Sequence, residues 1–332
     1  MLRPGPLNLI TDVPGLKVGQ ATDAAVRTGV TALLCPGGWT AAADVRGGGP
    51  ATREIDVLGL ENLVGRTHAV CLSGGSVFGL AAADGVTAVL SARGEGLAVT
   101  PGAPAVPIVT AACLYDLGRG GDADWGLSPP YRRLGEIAAT AAQPGVFDLG
   151  AVGAGRGARA GSRPGGIGSA SLQLSPDLVV GALAAVNPVG SVYAADGRSF
   201  YAHPFEIDGE FGGVAPTPGA GPEDPFPLHS RLGGGVDLQP GAATTLCVIA
   251  VSADLSAAEC KRVAMMAQDG LARAIRPVHT PFDGDIVLCV ASGPTLAAAP
   301  DRARQVARIG AAAADTLARA IARGVHAAAQ PG

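Results

Sequence analysis

The chain has few aromatic and few charged residues. Aromatic residues make up 4% and charged residues 16% of its 332 positions, while 48% are hydrophobic. The net charge of -4 leaves no basic excess of the kind that binds nucleic acid or an anionic membrane. The apolar residues suffice to bury a substantial core. We therefore predict a globular enzyme-sized protein without a nucleic-acid or membrane partner.

Short motifs that hold metals and nucleotides are also missing. The five histidines and six cysteines form no H-x-x-x-H or C-x-x-C pair, and no GK[ST] occurs. The glycine-rich stretch GAVGAGRGARAG, at 150–161, does not complete G-x-G-x-x-G. We predict no cofactor and no metal, and we interpret these glycines as points of close backbone packing.

The cysteines stand far apart, and several lie inside apolar runs, which is typical of buried free thiols in a reducing compartment. The opening residues, MLRPGPLNLITDVPGL, lack the apolar segment of a secretory signal, and no later run is apolar enough for a membrane span. We therefore expect a cytoplasmic location.

Apolar runs bounded by turn residues indicate an α/β fold. Five runs predict buried strands: GVTALLCPGG, THAVCLSGG, LVVGALAAVNPVG, TTLCVIAVS and DIVLCVASG. Between and after them, helices are predicted near Gly75 with Ser76 as N-cap, from Ser256 with Glu259 in a capping box, and over 301–328. Residues 202–243 are crowded with Pro and Gly and predict a long exposed connection.

That connection ends at two adjacent threonines, Thr244 and Thr245. Threonine is common at strand starts, so a purely structural role fits both. A hydroxyl residue that becomes a new chain start, however, has its own α-amine, with a pKa near 8, as a base for its hydroxyl. Asp283 and Asp285 flank Gly284 before the last strand, either as solvated residues of a turn or as a functional carboxylate pair.

The ordered strings GPLNLITDVPGLKVGQAT, VRGGGPATRE, AVCLSGGSVFGLAAADGV, GAVGAGRGARAGSRPGGIGSAS, AVNPVG, TTLCVIAVSADLS and MAQDGLARAIRPVHTPFDGD resemble the DmpA-type family of self-processing hydrolases. This family includes L-aminopeptidase/D-esterases, β-aminopeptidases and the nylon-oligomer hydrolase. The resemblance implies a single four-layer αββα domain of the N-terminal-nucleophile type over 1–332. It also implies one cut, between Ala243 and Thr244, into chains 1–243 and 244–332, with 202–243 as the processing linker.

Site residues follow from the same resemblance. Thr244 matches the nucleophile, and Asp283 and Asp285 match the acidic pair of the nylon-hydrolase branch. Asn187 and Tyr115 match the two donors that face the oxyanion. The implied function is hydrolysis of amide bonds in short peptides or amide oligomers through an acyl-enzyme, by a homotetramer of the processed unit.

Three positions depart from the family pattern. Ala243 precedes the nucleophile where relatives often have Asn or Gly. Ser162, followed by Arg163, stands where relatives often have a lysine, and arginine cannot accept a proton. Cys113 replaces a glutamate that pairs with the substrate amine in aminopeptidase members, which favours the amidase branch. Release of N-terminal residues, acyl transfer to an amine and an uncleaved protein without enzymatic activity remain the alternatives.

Overall fold

Eleven strands and four α-helices form most of the regular structure of the described residues. The structure is a computed structural model and describes residues 2–217, 223–233, 239, 241–294, 296 and 301–330. The strands are β1 (Lys17–Asp23), β2 (Thr28–Val45), β3 (Thr52–Arg53), β4 (Arg66–Ser73), β5 (Val109–Cys113), β6 (Arg159–Ala160), β7 (Arg163–Pro164), β8 (Gly166–Ser175), β9 (Leu178–Asn187), β10 (Thr244–Val251) and β11 (Ile286–Ala291). The α-helices are α1 (Ala82–Ala92), α2 (Tyr131–Ala141), α3 (Ala257–Ala274) and α4 (Arg302–Ala328).

Nine strands join in one mixed sheet with the order β3-β5-β4-β2-β11-β10-β9-β8, and β1 pairs with β2. The long strand β2 links two halves of this sheet. Its first part pairs with β1 and β4, its register shifts between Leu34 and Trp39, and its second part pairs with β11. Strand β10 lies between β9 and β11, well inside the sheet.

Three hydrophobic cores separate four layers. One core packs α1 and α2 against β2, β4 and β5, and another packs α3 and α4 against β8 to β11. The third core holds side chains of strands from both sheet halves, such as Leu72 of β4 and Leu246 of β10. Residues alternate between faces along a strand, so Leu246 and Val248 enter the inner core while Cys247 and Ile249 face the helices. The predicted αββα sandwich is confirmed.

Most elements predicted from periodicity are present. All five apolar runs form strands, and α3 begins after the capping box in which Ser256 Oγ accepts a hydrogen bond from the Glu259 N–H at 3.3 Å. The predicted apolar stripe of α4 is buried: Val306, Ile309, Ala313, Leu317 and Ile321. The six cysteines are free and buried, as expected.

The prediction of Ser76 as a helix N-cap is wrong. Gly75 occupies the cap position, and Ser76 begins a 3-10 segment, Ser76–Ala81, with a φ of 53°. The Gly75 N–H is held by Oδ1 of Asp116 at 2.7 Å, and the Ser76 N–H donates to O of Leu114 at 2.9 Å. A carboxylate from a distant part of the chain therefore fixes the backbone at the start of this segment.

The glycines of 150–161 lie where backbone segments touch, as predicted. A Cβ on Gly155 would lie 2.4 Å from the N atom of Ile167, and one on Gly157 would lie 2.4 Å from O of Arg27. Because neither neighbour is a flexible side chain, only glycine fits these positions without a shift of the backbone.

The predicted exposed connection is partly buried. Phe211 is 2% exposed and packs in the core beside α4. Glu210 pairs with Arg319 of α4 at 2.5 Å and with Arg323 at 3.5 Å. Composition alone missed this anchor because the pairing residues lie more than a hundred positions away. Residues 218–222, 234–238 and 240 of the same connection lie outside the described residues.

Candidate active site

Thr244 is the first residue of β10 and is 2% exposed. In the sheet it lies opposite Asn187, the last residue of β9. On its other side β10 runs parallel to β11, so the turn that leads into β11 lies at the same edge of the sheet as Thr244. The strand order therefore brings Asn187, Thr244 and the acidic turn 283–285 together from three separate parts of the sequence.

The carbonyl group of Ala243 lies within reach of the Thr244 hydroxyl. Thr244 Oγ1 donates a hydrogen bond to O of Ala243, and the main-chain N–H of Gly284 donates to the same oxygen at 2.9 Å. A Cβ on Gly284 would lie 2.7 Å from Thr244 Oγ1 and 2.7 Å from O of Gly49, so glycine alone fits here. The Thr244 hydroxyl and the Gly284 N–H thus meet at the peptide bond between Ala243 and Thr244.

Asp283 is fully buried and anchors this turn. Its Oδ1 accepts the Val189 N–H at 3.0 Å, and its Oδ2 accepts the N–H of Thr280 at 3.0 Å and the hydroxyl of Thr280 at 2.5 Å. Burial and the neighbouring Asp285 raise the pKa of Asp283 to about 6, while its hydrogen bonds oppose this rise. Asp283 is therefore poised to change protonation near neutral pH.

Asp285 is also fully buried and holds the start of β10. Its Oδ1 accepts the Thr245 N–H at 2.7 Å, and its Oδ2 accepts the N–H of His279 at 3.1 Å and lies 2.9 Å from Nδ1 of the same residue. The alternative of two solvated carboxylates is wrong, because neither side chain reaches water. Nε2 of His279 is buried and has no partner among the described residues.

A run of three glycines, Gly47 to Gly49, packs against the acidic turn. The Gly49 N–H donates to O of Asp283 at 2.8 Å, and the Gly47 N–H donates to O of Asp285 at 3.2 Å. A Cβ on Gly47 would lie 2.2 Å from the N atom of Asp285. The glycines therefore let a second backbone segment fix the position of both acidic residues.

Asn187 and Tyr115 lie next to each other beside Thr244. Nδ2 of Asn187 donates to the main-chain oxygen of Tyr115 at 3.2 Å. Oδ1 of Asn187 accepts hydrogen bonds from Arg119 at 2.6 Å, from Arg231 at 3.0 Å and from the N–H of Arg159 at 3.0 Å. The Tyr115 side chain is 37% exposed. The structure thus places the Asn187 amide group at the site, where it contacts the main chain of Tyr115 and links two loops. The role of the two side chains at the oxyanion stays a prediction.

Arg119 and Arg231 also contact the chain just before Thr244. Both donate to O of Ala242, Arg231 at 2.9 Å and Arg119 at 3.4 Å. Burial is the main cause that lowers the pKa of Arg231 to about 9 and that of Arg119 to about 10, and a neighbouring arginine lowers each further. The two guanidinium groups are partly dehydrated and line a cavity of about 320 Å³ together with Arg159, Gly161, Ser162, Leu228 and Ser230.

Apart from Ala243, described above, the positions that depart from the family pattern lie in different surroundings. Ser162 is exposed at the rim of this cavity, and its carbonyl accepts a hydrogen bond from the Arg159 side chain at 3.2 Å. The guanidinium carbon of Arg163 lies 5.6 Å from the centre of the Tyr193 ring. Cys113 is buried in β5, and burial raises the pKa of its thiol well above the usual value.

Several site residues were missed by the sequence reasoning. Gly284 was visible only as the middle of the Asp-Gly-Asp turn, and His279 only as a histidine without ligand spacing. Arg119 and Arg231 carry no local signal, since the sheet alone brings them to Ala242. Within the described part of the chain, no cluster of three or more His, Cys, Asp or Glu residues has a metal-binding arrangement. Nor does any helix there have the length and apolarity that a membrane crossing requires.

Comparisons with known proteins agree with this arrangement. The model of peptidase family S58 matches residues 8–331. An uncharacterized aminopeptidase of Mycobacterium tuberculosis is 42% identical over 96% of this chain and 94% of its own length. A 6-aminohexanoate-oligomer endohydrolase of Kocuria sp. is 30% identical over 84% of this chain and 73% of its own length.

Solved structures show the same fold at lower sequence identity. The β-aminopeptidase of a Burkholderia species has a TM-score of 0.69 and 24% identity over 98% of this chain and 88% of that one. The L-aminopeptidase D-Ala-esterase/amidase of Ochrobactrum anthropi, described as a variant of the Ntn hydrolase fold, has a TM-score of 0.69 and 20% identity with the same coverage. The chain therefore belongs to peptidase family S58, the DmpA-type family that its motifs resemble, and is a hydrolase of amide bonds.

Proposed function

We propose that the chain cuts itself between Ala243 and Thr244 and then hydrolyses amide bonds with Thr244 as nucleophile. One observation carries the proposal: the Thr244 hydroxyl points at the Ala243 carbonyl, and the Gly284 N–H donates to that carbonyl at 2.9 Å. A hydroxyl beside a carbonyl whose oxygen already has a donor is arranged for acyl transfer. Self-cleavage is also what the resemblance to self-processing members of the family implies.

In the proposed cleavage, Thr244 Oγ1 attacks the Ala243 carbonyl carbon. Charge develops on the Ala243 oxygen, where the Gly284 N–H stabilises it. The C–N bond then breaks, and the proton of the hydroxyl passes to the Thr244 nitrogen, which leaves an ester and a free amine. Water cleaves this ester, so that Ala243 ends in a carboxylate and Thr244 becomes a chain start. The products are chains 1–243 and 244–332 of one αββα domain, with 202–243 as the processing linker.

In catalysis the new α-amine of Thr244 takes the proton from Oγ1 during attack on a substrate amide. We assign the side-chain amide of Asn187 and the hydroxyl of Tyr115 to the oxyanion, as the resemblance implies. In the uncut chain one N–H of that amide donates to the Tyr115 main-chain oxygen at 3.2 Å, so its second N–H is the donor left for the oxyanion. Asp285 acts as a positioning residue, because it accepts the Thr245 N–H at 2.7 Å and so fixes the main chain directly after the nucleophile. Asp283 supports the turn, since its oxygens accept hydrogen bonds from Val189 and Thr280.

The proposal is tested by intact-mass measurement on freshly purified and incubated protein. Thr244→Ala removes the hydroxyl and is expected to leave one uncut, inactive chain. Thr245→Val is the matched control, because the Thr245 hydroxyl is buried without a partner among the described residues and its loss removes no hydrogen bond. An uncut wild-type chain, or full activity in Thr244→Ala, overturns the proposal. Cleavage that fails equally in both variants would also contradict it.

The substrates we propose are short peptides or amide oligomers, as the names of the aminopeptidase and endohydrolase relatives suggest. The buried Cys113, in place of a carboxylate, supports the amidase branch over release of residues with a free amine. We further propose a homotetramer of the processed unit, to be tested by light scattering. The six buried free thiols support a cytoplasmic location, which cell fractionation tests.

A further inference from the structure

Five arginines line two adjoining cavities beside the bond that precedes Thr244. Arg119, Arg159 and Arg231 line the cavity of about 320 Å³ described above. A second cavity, of about 570 Å³, shares Arg119 and Arg159 and adds Arg27 and Arg156. The two cavities adjoin each other at these shared residues, and Arg119 and Arg231 contact the main chain at Ala242, two residues before the candidate nucleophile.

These charges lack carboxylate partners. Among the described residues none of the five arginines forms an ion pair within 4.0 Å, and Nε of Arg156 is buried without a hydrogen-bond acceptor. Asp116 attracts Arg119, but its own oxygens accept hydrogen bonds from Thr28 and Gly75. Burial is the main cause that lowers the pKa of Arg231 and of Arg119, and the charges of Asp283 and Asp116 offset only part of this lowering. An anion that entered the cavity would offset the positive charge that is buried there.

The uncut chain shows where such an anion would sit. Arg119 and Arg231 donate to O of Ala242, whose carbonyl carbon is separated from the Ala243 carbonyl carbon by the bonds C–Cα, Cα–N and N–C. The ester formed during self-cleavage and the acyl-enzyme formed with a substrate share the same atoms at Thr244. The position of Ala242 therefore marks where the acyl part of a substrate lies, three bonds from its reacting carbonyl.

We propose that this arginine cluster binds a carboxylate on the acyl part of the substrate, three or four bonds from the scissile carbonyl. The inference rests on the proposed function and specifies its substrate class. Succinyl and glutaryl amides have the required spacing, and so does an aspartyl residue, whose side-chain carboxylate is three bonds from its carbonyl. Once cleavage has freed the segment that ends at Ala243, the carboxylate takes the place of the Ala242 carbonyl between the two guanidinium groups.

The same cluster disfavours substrates with an ammonium group at this position. The guanidinium groups of Arg119 and Arg231 contact the place where a free amine of an acyl chain would lie, and Arg159 lines the same cavity. Like charges repel in such a partly dehydrated site. Cys113, at the position of the family's amine-binding glutamate, supplies no negative charge. Charge complementarity therefore separates this protein from hydrolases that require a free amine.

Three matched p-nitroanilides test the inference on the processed protein: the succinyl compound, its neutral succinamoyl analogue and the cationic β-alanyl analogue. They differ only in the group three bonds from the reacting carbonyl. We expect kcat/KM for the succinyl compound to exceed that for the succinamoyl compound by about tenfold or more, because charge-assisted hydrogen bonds add to a neutral contact. The β-alanyl compound is expected to be the poorest of the three. Binding of succinate against succinamide, measured by calorimetry, gives a readout that needs no turnover.

Arg159→Gln is the informative variant. Arg159 lines both cavities. Among the described residues its side chain forms a hydrogen bond only to the Ser162 carbonyl, and it is the main-chain N–H of Arg159 that holds Asn187. We expect this variant to cut itself normally. The ratio of kcat/KM for the succinyl compound to kcat/KM for the succinamoyl compound should fall severalfold. Arg163→Gln, which removes an equal charge four residues away beside Tyr193, is expected to keep the wild-type ratio.

The inference is overturned if wild-type protein binds succinate no better than succinamide, or if Arg159→Gln and Arg163→Gln change the ratio equally. Hydrolysis of the succinamoyl compound that depends on Thr244, without any preference for the carboxylate, overturns this inference alone and leaves the proposed function intact. Failure of self-cleavage and of labelling at Thr244 instead overturns the proposed function.

Discussion

Replacement of Gly284 by alanine tests how the Thr244 hydroxyl is aimed. The added Cβ would lie 2.7 Å from Thr244 Oγ1 and 2.7 Å from O of Gly49, whereas ordinary contacts are 3.4 Å or longer. Gly49 cannot move away easily, because its N–H is bonded to O of Asp283 at 2.8 Å. The Thr244 side chain must therefore turn from the Ala243 carbonyl, or the turn must shift by several tenths of an ångström.

We expect two measurable consequences of Gly284→Ala. Overpacking of this kind lowers the free energy of unfolding by about 1–3 kcal/mol. A displacement approaching 1 Å at the reacting atoms costs roughly a hundredfold in rate, so the chain should remain uncut long after wild-type cleavage is complete. The fraction of cut chain is followed by intact mass, and folding by the thermal unfolding midpoint.

Gly270→Ala provides the control for global destabilisation. A Cβ there would lie 2.4 Å from O of Ala314, where α3 packs on α4, so stability should fall while the cleavage rate stays at the wild-type value. If Gly284→Ala cuts itself as fast as the wild type, the assignment of this peptide bond is refuted. The same holds if both variants lose cleavage in proportion to their loss of stability.

Three further predictions concern charged residues at the site and at the anchor of the connection on α4. Arg231→Gln removes the guanidinium group that holds O of Ala242 at 2.9 Å and should slow self-cleavage about tenfold, measured by intact mass, whereas Arg231→Lys should restore part of the rate. The pKa of Asp283 is raised to about 6 in the folded protein, so its contribution to stability is present below pH 4 and is lost as the pH rises through about 6. Over that range the free energy of unfolding of the wild type, measured in urea, should fall by on the order of 2 kcal/mol relative to that of Asp283→Asn. Glu210→Gln breaks a buried pair with Arg319 and should lower the free energy of unfolding by about 3 kcal/mol without any change in the residue at which the chain is cut.

Much of the fold could be predicted from local patterns in the sequence. Strands β2, β4, β9, β10 and β11 are long apolar runs, and α3 and α4 have periodic apolar faces, with a capping box at the start of α3. Each of these signals lies within one segment. Ser76 shows where this reasoning ends, since the N–H of the cap residue Gly75 is held by Asp116, 41 positions away in the loop after β5.

The candidate site could be predicted only in part. Thr244, Asp283 and Asp285 were identified because their motif and spacing resemble a family, and the structure buries both carboxylates, which spacing alone left open. His279 and Gly284 belong to the same short segment but gave no separate signal. Whether a glycine N–H meets a particular carbonyl depends on the pairing of β10 with β11, and pairing between strands is not encoded in either strand alone.

The sequence by itself determined the fold class, the family and the two threonines at the mouth of a buried strand, because apolar periodicity and ordered motifs are local properties of the chain. The tertiary structure decided which hydroxyl faces a carbonyl: residues alternate between the faces of a strand, so Thr244 meets Ala243 and Gly284 while the Thr245 hydroxyl has no partner among the described residues. It also decided that arginines distant in sequence converge on Ala242, since only the packed sheet brings separate loops to one edge.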